Sequence, residues 1–184
     1  MEAFLVSAGI VALAEFGDKT QLLAILLAAR YRAPLPIVLG ILVATAANHA
    51  LAALAGAWVT QLVGAEAMRW ILAVSFLAMA GWMLVPDKPD EGKAPARLGP
   101  FAATVVAFFL VEMGDKTQIA TVALAARYAA TLAVVAGTTA GMMMANVPAV
   151  FLGERLLRRV PMKTLHGIAA AVFAALGILV LVRF

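Results

Sequence analysis

Glu15-Phe16-Gly17-Asp18-Lys19-Thr20-Gln21 and Glu112-Met113-Gly114-Asp115-Lys116-Thr117-Gln118 are one motif written twice, 97 residues apart, each inside a long apolar stretch. Displacing the chain by that interval aligns 15–31 with 112–128 at 11 of 17 identities, and superimposes Gly40 on Gly137 and Gly56 on Gly153. The chain is therefore an internal duplication, to be read as two equivalent halves.

Outside the motifs the chain is mostly apolar. Of its 184 residues 65% are hydrophobic and 13% charged, and the mean hydropathy is +1.01. One soluble core of this size cannot cover so much apolar surface, so a bilayer must. Crossing a hydrocarbon layer roughly 30 Å thick takes about 20 apolar residues in a helix. Six stretches approach or exceed that length: 4–29, 35–63, 67–85, 101–126, 131–153 and 165–182. They predict an all-α integral membrane protein with six transmembrane helices in two three-helix repeats, residues 1–85 and 99–184. The proline-rich, charged stretch 86–98 reads as a flexible linker between them.

Three spans per half is an odd number, so the second half enters the membrane from the opposite side and the repeats are inverted. Nine basic residues fall on the linker side: Arg30, Arg32, Lys88, Lys93, Arg97, Arg155, Arg158, Arg159 and Lys163. Three fall opposite, Arg69, Arg127 and Arg183. This bias predicts a cytoplasmic linker, with both termini outside, in the cell (inner) membrane. The formal net charge of +4 is thus a topology signal and not a nucleic-acid footprint. Met1-Glu2-Ala3-Phe4 lacks the basic start of a signal peptide, so the first segment is expected to stay in the mature protein.

The motifs place ionisable groups near the middle of the first and fourth spans, where they cost several kcal/mol unless they face a wet interior. On a continuous helix Glu15, Asp18 and Gln21 share a side, Lys19 stands one turn beyond Glu15 to pair with it, and Glu112, Asp115, Gln118 and Lys116 repeat the arrangement. Inversion brings both faces to one shared site. With all groups ionised, four carboxylates and two lysines leave a charge of minus two, which one divalent cation or two protons neutralise. Like charges and burial favour protonated carboxylates while lysines favour ionised ones, so metal-for-proton exchange is expected. Cysteine is absent. The metal ligands are therefore expected to be Glu15, Asp18, Gln21, Glu112, Asp115 and Gln118, a hard oxygen set suited to Mn²⁺, Ca²⁺ or Mg²⁺. Gly17 and Gly114 permit a locally opened helix with freed carbonyls. Asn48 and Asn146 are further candidates, out of step by one residue under the repeat interval. No catalytic residue and no cofactor is expected, the metal being transported substrate.

Plainer readings compete. A salt-bridge network such as Glu15 with Lys116 would merely hold helices together, but the excess of acid over base opposes that. Thr20, Thr117, Thr138 and Thr139 are expected to bond their own helix backbone. Met142, Met143 and Met144 point to different faces and read as packing. His49 and His166 read as packed or interfacial, and Pro148 as a kink. An exporter of small organic cations or amino acids is the alternative function; an intramembrane aspartyl protease and a scaffold subunit fit the doubled Glu-x-x-Asp less well.

Two copies of Glu-x-Gly-Asp-Lys-Thr on the first and fourth of six spans resemble the signature of the GDT family of Mn²⁺/Ca²⁺ transporters. The resemblance covers essentially the whole chain, and neither motif departs from the pattern. It implies export of a divalent cation from the cytosol, in exchange for protons, with the acidic residues as the metal site. Lacking a large loop, the chain is similar to the prokaryotic branch, which implies manganese. The expected partners are a divalent metal ion, protons and the lipid bilayer, with room for a homo-oligomer and no role for nucleic acid.

Overall fold

The computed structural model describes residues 1–85, 98–153 and 162–183, and every regular element among them is an α-helix. The first half holds α1 (Glu2–Glu15), α2 (Lys19–Tyr31), α3 (Pro34–Leu62) and α4 (Ala65–Met83). The second holds α5 (Pro100–Glu112), α6 (Lys116–Tyr128), α7 (Thr131–Leu152) and α8 (Met162–Arg183). The starts of α2 and α6, of α3 and α7, and of α4 and α8 each lie 97 residues apart, so the duplication read in the sequence is a duplication of structure. All but the last residue of the expected linker 86–98 lies outside the described residues, as do Arg155, Arg158, Arg159 and the expected break at Pro161.

Stretches 4–29 and 101–126 are each two helices, not the single spans expected. Phe16 and Met113 are extended at ψ 118 and 119, Gly17 and Gly114 take positive φ of 82° and 78°, and Asp18 and Asp115 return to extended backbone. Three successive non-helical residues remove the carbonyl-to-amide ladder there, and only glycine enters the positive-φ region without cost. The broken pieces end alike: Arg32 and Ala129 take left-handed backbone and donate their N–H groups to Ala28 O and Ala125 O. Pro34 and Pro100 open their helices where a missing N–H costs nothing.

Among the described residues, three helices are long and apolar enough to cross a membrane: Pro34–Leu62, Thr131–Leu152 and Lys163–Val182. Pro148 lies inside α7, which continues through it. Large apolar side chains such as Leu39, Leu51, Trp58, Leu132 and Phe151 stay exposed, the surface of a chain that a bilayer covers.

The halves interlock. α1 packs along α7 and α3 along α5, and α2 meets α7 as α6 meets α3. Gly40 lets α5 approach so closely that a Cβ there would lie 2.7 Å from Thr104 Cβ, and Gly137 does the same against Phe4 and Ser7 of α1. Further along, Asn48 Nδ2 donates to Phe109 O at 3.0 Å, and Gly141 meets Ala8 and Ala12. Both cross-half pairs therefore run in the same direction. One apolar cluster joins Leu72, Phe76 and Phe173 of α4 and α8; a second joins Leu27, Ile37, Ile41 and Phe108 of α2, α3 and α5.

Candidate metal centre

Each break is built the same way. Glu15 and Glu112 are the last residues of α1 and α5, and Asp18 and Asp115 stand immediately before α2 and α6. Asp18 N donates to Glu15 O and Asp115 N to Glu112 O, both at 3.1 Å. Gly17 N donates to Gln21 Oε1 at 3.0 Å and Gly114 N to Gln118 Oε1 at 2.7 Å. The glutamine carbonyls, read as metal ligands in the sequence, thus hold the turns. The amide ends reach across the molecule: Gln21 Nε2 donates to Ala145 O at 2.9 Å, and Gln118 Nε2 to Asn48 Oδ1 at 3.3 Å.

Those two contacts reveal the true register. Residues 48 and 145 are 97 apart, so Asn48 corresponds to Ala145, and Asn146 corresponds to His49. Asn48 joins the second motif, whereas Asn146 donates to Met142 O of its own helix at 3.1 Å.

The carboxylates converge in the interior. Glu15 and Glu112 are 0% exposed, Asp18 2% and Asp115 4%. One oxygen from each of Glu15, Asp18 and Asp115 lies within 4.8 Å of the other two, close enough for a single cation to bridge residues from both halves. The lysines cross between halves: Lys19 Nζ is 3.2 Å from Asp115 Oδ1, and Lys116 Nζ is 3.9 Å from Asp18 Oδ1. The expected pairing of Lys19 with Glu15 is replaced, because the break takes Lys19 out of the helical register that a one-turn contact needs. Thr20 and Thr117 also depart from expectation. Thr20 Oγ1 donates to Glu15 Oε2 at 2.7 Å, and Thr117 Oγ1 to Glu112 Oε2 at 3.5 Å, since the first turn of a helix offers no carbonyl behind it. Thr138 keeps the expected bond to Val134 O at 2.9 Å.

Among the described residues, Glu15 Oε1, Glu112 Oε1 and Asp115 Oδ2 are buried without a hydrogen-bond partner. Buried oxygens of this kind are costly unless something positive meets them. The glutamates also sit at the C-terminal ends of α1 and α5, where the helix dipole adds negative potential and favours a cation. Sequence reasoning missed one participant. His166 Nε2 lies 3.0 Å from Phe16 O, a contact across 150 residues that no local pattern announces.

The family model for the divalent cation/proton antiporter GDT1 matches residues 3–91 and 100–183. A relative from Vibrio cholerae serotype O1, named "Putative manganese exporter", is 48% identical over 179 residues, covering 97% of this chain and 90% of its own. No solved structure matches.

Proposed function

Since the chain belongs to the GDT1 family of divalent cation/proton antiporters, we propose that it exports Mn²⁺ from the cytoplasm in exchange for protons, with Ca²⁺ as a second ion the site can take. The observation that carries this reading is the meeting of Glu15, Asp18 and Asp115 oxygens within 4.8 Å, drawn from both halves and wholly inside the protein. Glu112 completes the acidic set, and Gln21 and Gln118 shape it by holding the two turns. Oxygen-only donors suit a hard divalent ion, and the excess of two negative charges matches one such ion.

The lysines supply the resting state. Each pairs with the opposite half's aspartate, and an arriving cation bridges the halves with both ammonium groups still beside the carboxylates, so that the charge balances. Protons and metal then compete for the same carboxylates, which is the coupling an exchanger requires. The same-direction packing of α1 with α7 and of α3 with α5 supports inverted repeats crossing the inner membrane six times, α1–α2 and α5–α6 each serving as one broken span. Helix breaks at the site give each half a hinge. The basic-residue bias supports a cytoplasmic linker and external termini.

Thermal unfolding of the purified protein in detergent tests the site. A ligand at one hundred times its Kd stabilises by about 2.7 kcal/mol. Mn²⁺ should therefore raise the Tm by several degrees, and Asp18→Asn or Asp115→Asn should each abolish the gain. A native protein indifferent to Mn²⁺ and Ca²⁺ would remove the metal reading.

A further inference from the structure

The peptide unit between Phe16 and Gly17 is gripped at both ends. Its N–H donates to Gln21 Oε1 at 3.0 Å, and its carbonyl accepts from His166 Nε2 at 3.0 Å. A carbonyl oxygen only accepts, so the imidazole proton must sit on Nε2. This peptide is the segment that turns the chain from Glu15 to Asp18, two of the three residues whose oxygens converge. Rotating it would move both carboxylates.

The equivalent position in the other half carries a different residue. The residue 97 positions before His166 is Arg69, whose guanidinium lies over the Trp70 ring at 5.6 Å. The helices that carry these residues are also docked differently: α8 lies against α1, whereas its counterpart α4 lies against α6. The last helix of the chain thus reaches the first motif through an imidazole, where the equivalent position in the first half carries a guanidinium.

We infer that His166 is a positioning residue for the metal site, clamping the Phe16–Gly17 peptide so that Glu15 and Asp18 are presented to a cation in fixed relation. The inference rests on the acidic cluster being the metal site, and it gives the first motif a support from α8 in addition to its own glutamine.

The test compares native protein with His166→Ala, His166→Asn and His166→Gln. Glutamine carries an N–H donor at nearly the reach of Nε2; asparagine is one methylene shorter and alanine has none. Two readouts are taken: amide hydrogen exchange of the peptides covering Gly17 and Gly114, and the Mn²⁺ concentration giving half the thermal stabilisation. Alanine and asparagine should speed exchange at Gly17 but not at Gly114, and raise the half-saturating Mn²⁺ about three- to ten-fold, the worth of one hydrogen bond. Glutamine should restore both. Asparagine carries the comparison alone where alanine does not fold. Native exchange at Gly17 in the variants, or a glutamine variant as impaired as asparagine, overturns the clamp. Exchange requires no metal, so a native protein blind to Mn²⁺ would sink the transport reading while the clamp was still judged.

Discussion

Thr20 shows how much a single hydroxyl can do here. Glu15 is wholly buried, and one of its oxygens depends on the Thr20 Oγ1 bond at 2.7 Å. The equivalent Thr117 contact to Glu112 is 3.5 Å, at the edge of what counts as a bond. Thr20→Val should therefore lower stability by about 1–3 kcal/mol, the cost of stranding a buried partner, and Thr117→Val by less. Thermal unfolding in detergent reads the order directly, and the reverse order would contradict the geometry. At this scale the gathering of Glu15, Asp18 and Asp115 was legible, because carboxylates inside apolar stretches announce themselves. Their partners were not. Assigning Lys19 to Glu15 assumed an unbroken helix of 100° per residue, and one glycine at φ 82° cancels that arithmetic.

At the scale of elements, the consequential feature is a pair of helices that stop and restart at the site. Gly114 has φ 78° with open space around its missing Cβ, so substitution there meets backbone strain and no clash. Gly114→Ala should cost about 1–2 kcal/mol, and Gly114→Asn less, because asparagine tolerates the left-handed region. Gly137 makes the contrast: a Cβ there runs into the Phe4 carbonyl, so Gly137→Ala should fail by separating α1 from α7. Melting temperatures of the three variants test this; equal losses for Gly114→Ala and Gly114→Asn would show that backbone conformation is not the cause. The opening was foreseeable from Gly17 and Gly114, since glycine inside a span invites it, but no spacing rule decides between a kink and three non-helical residues. The His166 contact lay beyond sequence reading for another reason. It depends on how α8 docks against α1, and docking is set by packing across the whole chain.

On the scale of the molecule, duplication organises the fold. The repeat interval of 97 residues recurs in helix starts, in the positive-φ glycines, in the left-handed ends and in the cross-half glycine contacts. Two equivalent motifs meeting at one place make the acidic site a joint property of both halves, and Mn²⁺ uptake into proteoliposomes carrying an internal pH dye is the decisive measurement. In native vesicles Mn²⁺ entry should drive proton exit, and acidifying the side that loads metal should slow entry, since protons there hold the carboxylates the metal needs. Asp18→Asn and Asp115→Asn should each abolish both signals, although they lie in different halves. Mn²⁺ entry that ignores the pH gradient, or that survives in either variant, would contradict a shared exchange site.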